Sequence, residues 1–172
     1  MISLTSAQIH LAVNHLPVVG ALLATATLAL AAVTRCAGAR NLGFALLVFA
    51  ALSALPAYFS GEGAEKIVED RPGVSDTLIE HHEEAAARAL AVTLGAGIIA
   101  AAALMAVRSR RERALRILFA LALLSSLAST GLMGRVAHLG GQIRHDEIRP
   151  PSAPGVSGAR LERAAGLPRD ED

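Results

Sequence analysis

The sequence has one cysteine, few aromatic residues and little charge. A single Cys36 excludes an intramolecular disulfide, an all-cysteine iron–sulfur cluster and the Cys-x-x-Cys-His signature of covalently attached haem. It does not fit a lipoprotein site, because the charged Arg35 directly precedes it. With 3% aromatic residues and a formal net charge of +1, the composition does not favour nucleic-acid binding.

Basic residues are also missing ahead of the first apolar run. No lysine or arginine precedes it, which indicates that the run is not a cleavable signal peptide and that the N-terminus is retained. What the chain does have is apolar surface: 53% of residues are hydrophobic, 18% are charged and the mean hydropathy is +0.47. A small globule could not hide that much apolar surface, so the composition indicates lipid as the solvent.

Four apolar segments are each close to the ~20 helical residues that cross a hydrocarbon layer. They cover residues 9–33, 42–59, 82–107 and 114–134. Helix is the expected state, because an open strand would leave backbone groups unpaired in lipid. The sequence therefore predicts an all-α, integral membrane four-helix bundle over residues 1–148. An acidic outer connector is expected at 60–80, and a disordered outer tail at 149–172, where Pro, Gly, Ser and charge accumulate.

The connectors predict the orientation. "TRCAGAR" joins the first two segments and "RSRRERALR" joins the last two, whereas the middle connector is predominantly acidic. Arginine-bearing loops favour the cytoplasmic side. We therefore expect an up-down topology in a bacterial inner membrane, with both termini in the periplasm.

Histidines gather at one side of this topology, because all six fall at outer helix ends. A neutral imidazole is a common ligand for haem iron, zinc or copper, and imidazoles from different helices of a bundle often hold core cofactors. The pattern predicts a histidine-lined site at the periplasmic face. The six are His10 and His15, His81 and His82, and His138 and His145.

Their orientations can be estimated from the helical period. At 100° per residue, His15 is turned about 140° from His10, so only one of them can face the bundle axis. We expect the deeper His15, beside Asn14 and Pro17, to face inward, and His82 begins a face of small residues on the third segment. The first-choice ligands are His15, His82 and His138, and the further candidates for a metal are His10, His81, His145 and Glu84.

Two arginines near the same end are candidates for binding haem propionates. Arg88 and Arg135 are suited to bidentate contacts, although interfacial arginines often only snorkel, and Arg88 would also pair with Glu84 four residues before it. Gly140 and Gly141 are expected to end the fourth helix.

The leading interpretation is a b-type haem or metal-binding subunit that transfers electrons. Two imidazoles on one iron would leave no position for substrate, and neither a Ser-His-Asp nor a Cys-His arrangement emerges, so no enzyme activity is indicated. Zinc and copper remain open, although few methionines lie on the outer side and Cu(I) transport is disfavoured. Carboxylate-bridged metal pairs are also disfavoured, because facing Glu-x-x-His motifs are missing.

An alternative class is a cofactor-free accessory or assembly subunit, in which a polar network docks a periplasmic partner. Either class has the lipid bilayer as a partner, and redox or other membrane-complex subunits are further expected partners.

Several motifs together resemble a family. "IHLAVNHLPVVG", "LPAYFSGEGAEKIVE", "LIEHHEEAA" and "LGGQIRHDEI" are similar to a group of small, uncharacterised four-span bacterial membrane proteins. More distantly, the chain resembles a predicted membrane family whose first helix carries His-Pro-x-x-x-His-Phe-Pro; Leu11 and Leu16 stand here for that Pro and Phe. The resemblance covers most of residues 1–149. It implies four helices with histidine-rich outer ends, and some distant relatives are suspected of binding haem.

Overall fold

The computed structural model describes residues 5–68, 74–145 and 148–149, and these residues form helices and no strand. Four stretches of 29, 31, 33 and 33 residues are long and apolar enough to cross a membrane, and the first consists of two helices in series. The helices are α1 (Ser6–Val13), α2 (His15–Thr34), α3 (Ala37–Val68), α4 (Asp76–Arg108) and α5 (Glu112–Arg144).

The first span begins with a capping box and is interrupted by a proline. Thr5 accepts a hydrogen bond from the Gln8 backbone and the Gln8 side chain caps Thr5 in return. Pro17 has no N–H to offer the carbonyl of Val13, so helical bonding is broken at Asn14, between α1 and α2. Pro56 lies inside α3 without ending it.

Short connections at one end of the bundle join α2 to α3 and α4 to α5. Residues 35–36 and 109–111 make these turns, and each contains an arginine in the left-handed region, Arg35 with φ 55° and Arg110 with φ 53°. Helices linked this tightly must pack as neighbours. In addition α3 packs on α4 and α5 packs back on α2, which closes the four spans into a bundle.

Small residues at intervals of seven line the seams between the helices. On α4 the buried residues Ala89, Ala96 and Ala103 follow this spacing, which keeps one face of a helix against its neighbours. The backbones come very close there, because a Cβ at Gly97 would collide with the side chain of Ala51 on α3. Close backbone approach over small residues is the usual basis of packing between membrane helices.

The interior combines apolar side chains with hydroxyl pairs between helices. Leu28, Phe44 and Leu47 are fully buried near the arginine-bearing connections. Deeper in the bundle, the Oγ1 atoms of Thr25 and Thr130 lie 2.8 Å apart, and Thr93 Oγ1 lies 2.6 Å from Ser129 Oγ. Each hydroxyl thereby obtains a partner inside an apolar environment. The outside carries large exposed hydrophobic side chains such as Leu11, Val33, Phe59, Ile98 and Met105.

The helices extend further than the apolar segments. Helix α3 continues to Val68, so the first part of the connector expected at 60–80 is helical. The prediction that Gly140 and Gly141 end the last helix is wrong, because α5 continues to Arg144. Glycine in a helix costs only ~1 kcal/mol, and packing readily offsets that cost. Of the tail expected at 149–172, Arg149 is buried, and residues 150–172 lie outside the described residues, as do residues 69–73.

Candidate histidine site at one end of the bundle

The seams of small residues end in histidine at the end of the bundle remote from the arginine turns. On the first span the buried residues Ala31, Ala24 and Pro17 lie seven apart, and the next step of seven reaches His10. On α4 the same step from Ala89 reaches His82. The packing that builds the bundle therefore also turns these two rings inward, and both are partly buried.

His10 packs against the backbone of α3. Its Nδ1 lies 3.0 Å from the carbonyl oxygen of Ala57 and 3.2 Å from Ser60 Oγ. The Ser60 hydroxyl donates to the same carbonyl at 3.1 Å. A Cβ at Gly61 would lie 3.7 Å from the ring carbon Cε1, so the imidazole occupies the space beside this glycine.

His82 makes the matching contacts with α5. Its Nδ1 lies 3.1 Å from the carbonyl oxygen of Val136, and a Cβ at Gly140 would lie 3.1 Å from its Cε1. Ala57 precedes Gly61 by four residues, just as Val136 precedes Gly140. Each half of the chain thus places an imidazole over a glycine and bonds it to the carbonyl one helical turn earlier, although the two halves have no evident sequence repeat.

These bonds determine what the rings can offer. A carbonyl only accepts, so Nδ1 of each ring carries the proton and donates, and in the neutral imidazole Nε2 keeps a free lone pair. Such a bond from Nδ1 to a backbone carbonyl is the usual support of a histidine that binds a metal through Nε2. The two rings are also close enough that a positive charge on His10 would act on His82.

A pair of carboxyl groups lies further along α3 and α4 at the same end. The side chains of Glu65 and Glu83 lie close to one another where α3 meets α4. The pair therefore places two carboxyl groups between α3 and α4, and Glu83 directly follows His82 in the sequence.

A buried acceptor follows His10 by one helical turn. The Oδ1 atom of Asn14 is buried and has no hydrogen-bond partner among the described residues. A buried amide oxygen without a donor costs free energy, so this position suits a donor brought by another molecule.

The end of α5 is fixed by two polar contacts. Gln142 Nε2 donates to His138 Nε2 at 2.8 Å. The buried Arg149 returns to the helix and donates to the carbonyl of Gln142 at 2.6 Å and to that of Ile143 at 3.0 Å. Arg149 therefore satisfies carbonyls that have no partner within the helix.

Several predicted ligands take other positions. The expectation that His15 faces the bundle interior is wrong: His15 is exposed and His10 is inside, because the seam of small residues includes His10 and not His15. His81, His138 and His145 are exposed, and the Nε2 of His138 already accepts from Gln142. In the described part of the chain, no three His, Cys, Asp or Glu side chains are arranged to hold a metal ion.

The charged candidates lie on the outside of the bundle. Arg88 pairs with Glu84 as expected, with 2.9 Å between Nη2 and Oε2, but both side chains are more than half exposed. An ion pair in that position contributes little to stability. Arg135 is also exposed.

The sequence contained a signal that would have identified His10. Stepping back by seven from the small residues at 31, 24 and 17 leads directly to it, whereas depth alone favoured His15. No comparable signal pointed to the contact between Glu65 and Glu83 or to the burial of Arg149, which depend on how neighbouring segments pack.

Comparisons with family models, curated proteins and solved structures find no match to this chain.

Proposed function

We propose that this protein is an integral membrane electron-transfer subunit that binds haem b through His10 and His82. The observation that carries the proposal is the matched pair of imidazoles, each on a different helix and each bonded through Nδ1 to a backbone carbonyl, at 3.0 Å and 3.1 Å. This arrangement leaves two Nε2 lone pairs at one end of the bundle. Haem b supplies a one-electron redox centre when it is bound.

The number of ligands favours haem over zinc or copper. A structural zinc ion takes four protein ligands and a catalytic one takes three, whereas a porphyrin provides the equatorial nitrogens and needs only axial ligands from the protein. Two imidazoles with no third His, Cys, Asp or Glu grouped with them in the described segments fit that need. In this proposal Ala57 and Val136 orient the rings. The carboxyl groups of Glu65 and Glu83 lie close to the site, because Glu83 directly follows His82.

We also infer the threading of the chain. An up-down topology, with both termini on the histidine side and facing the periplasm, is supported by two features. The arginine-bearing turns lie at the other end. The contacts of the first span with α3 run from His10 with Ala57 to Leu28 with Gly43. A bacterial inner membrane is the proposed location.

The test is a visible spectrum of the protein purified in mild detergent, before and after dithionite. A reduced α-band is expected in the wild type, and His10→Ala and His82→Ala should each lose it. His15→Ala and His81→Ala are matched controls, because both rings are exposed and lie on the same elements as the tested pair, His15 five residues after His10 in the first span and His81 directly before His82 on α4. Both controls should keep the band.

A conservative variant separates ligation from packing. His10→Met keeps a side chain that can bind iron, and a Met/His pair raises the reduction potential relative to two imidazoles. We expect a retained α-band and a higher midpoint potential. A wild type without haem, or full haem retention in both alanine variants, would contradict the assignment.

The alternative, a cofactor-free accessory or assembly subunit, has one observation in its favour. The rings of His10 and His82 are already hydrogen-bonded to neighbouring helices, so in this alternative they join the helices and shape an outer docking face. In that case the wild type is colourless and metal-free, and His10→Ala and His82→Ala lower the unfolding midpoint without any spectral change.

A further inference from the structure

At the arginine end of the bundle, remote from the histidines, a cavity of about 210 Å³ opens between the turn that links α2 to α3 and the start of α5. Three arginines line it, namely Arg35, Arg40 and Arg116, together with one carboxylate, Glu112. Its volume is below the ~300–1,000 Å³ of pockets for drug-sized ligands. The charge and the size together suit a small anion.

The arginines are available to a ligand. No ion pair with a described residue is formed by Arg35, Arg40 or Arg116. The Nε of Arg40 donates a hydrogen bond to the side-chain oxygen of Asn41, at 3.3 Å. Guanidinium groups bind phosphate through two parallel hydrogen bonds, which makes arginine the preferred residue for such groups.

The chain positions these side chains from separate elements. Arg35 ends α2 in the left-handed conformation with φ 55°, which breaks the helix and brings it to the cavity, while Arg40 comes from the first turn of α3 and Arg116 from the second turn of α5. The start of α3 adds partial positive charge, because α3 has no acidic residue in its first turn, whereas Glu112 in the first turn of α5 offsets the partial positive charge of that helix start.

We propose that this cavity binds a phosphate group, either of an anionic lipid headgroup or of a free phosphate. The cavity lies at a turn between helix ends, beside the apolar side chains of Leu115 and Phe119. Basic pockets between membrane helices bind lipid headgroups at such positions. The site is independent of the histidine pair and of any electron transfer.

The experiment measures binding of two probes to the full-length protein in detergent by native mass spectrometry and calorimetry. One arm uses anionic phosphatidylglycerol, with zwitterionic phosphatidylcholine, which has no net charge, as the comparison, and the other uses inorganic phosphate. The cavity variant R35Q/R40Q/R116Q should bind the preferred probe at least about tenfold more weakly than the wild type. Binding of the lipid but not of inorganic phosphate supports a headgroup site, and tight binding of inorganic phosphate supports a free-phosphate site.

A matched triple variant controls for general surface charge. R108Q/R110Q/R113Q removes three exposed arginines from the same end that do not line the cavity, and its affinity should stay within about threefold of the wild type. Ala32→Phe provides a second test without loss of charge, because Ala32 lines the cavity and the larger ring would fill it. Equal weakening by both triple variants, unchanged affinity in Ala32→Phe, or no binding of either probe would overturn the proposal.

Discussion

The contact between His82 and Gly140 gives a prediction with a magnitude. In Gly140→Ala the added methyl would start 3.1 Å from Cε1 of His82, whereas carbon atoms pack at ~3.5–4.0 Å. The ring must therefore move away from α5 by ~0.5 Å. The same movement lengthens the bond from its Nδ1 to the Val136 carbonyl, now 3.1 Å, because Val136 belongs to the same helix. At ~3.6 Å the contact is no longer a hydrogen bond.

Two effects on stability then oppose each other. Alanine in place of a helical glycine stabilises by ~0.5–1 kcal/mol, and a lost interhelical hydrogen bond in a membrane protein costs ~0.6 kcal/mol, at most ~1.7 kcal/mol. Gly134 on the same helix provides the control, because a Cβ there meets nothing within 4 Å. Gly134→Ala should gain the helix stability of alanine without losing an interhelical hydrogen bond. Gly140→Ala should therefore be less stable than Gly134→Ala by about 1 kcal/mol.

The assay is unfolding of the full chain in mixed micelles with increasing dodecyl sulfate, followed by circular dichroism. Equal free energies of unfolding for Gly140→Ala and Gly134→Ala would refute the reasoning, because the ring would then have moved without losing its carbonyl. If His82 binds haem, Gly140→Ala should also lower haem retention and Gly134→Ala should not. That second readout separates the packing argument from the functional proposal.

Two further predictions concern packing and orientation. Gly97→Ala should destabilise the bundle by ~1–3 kcal/mol in the same assay, because the added methyl collides with Ala51. Gly95→Ala is the control and should not destabilise the bundle, because a Cβ there meets nothing within 4 Å. Equal effects of the two substitutions would contradict the close approach of α3 and α4. In the proposed topology the exposed thiol of Cys36 lies on the cytoplasmic side, so it should resist a membrane-impermeant maleimide in spheroplasts. Thr5→Cys in a Cys36→Ser background should react with the same reagent. A reactive Cys36 would reverse the proposed topology.

The helical state and the number of spans followed directly from the sequence, but the ends of the helices did not. The four apolar segments were each inside an observed span, because a long apolar run in lipid has helix as its only satisfied backbone state. The ends at Val68 and Arg144 are polar or glycine-rich, so hydropathy ended the segments too early. Contacts with neighbouring helices, such as the one between Gly140 and His82, account for the longer α5.

Of the two inward histidines of the candidate site, the sequence predicted His82 and not His10. His82 was expected to begin a face of small residues, and Ala89 and Thr93 on that face are buried. The choice between His10 and His15 failed, because it rested on depth along the helix instead of the side that packs.

Sequence alone determined that this chain is an all-helical bundle of four apolar spans with its histidines near the helix ends remote from the arginine-bearing turns, since hydropathy and residue order suffice for both conclusions. Only the tertiary structure decided that His10 and His82 are the inward pair, that each is bonded to a carbonyl one turn before a glycine, and that Glu65 meets Glu83. The physical reason is that rotation and register of helices are set by packing between residues distant in sequence, where small residues allow backbones to approach.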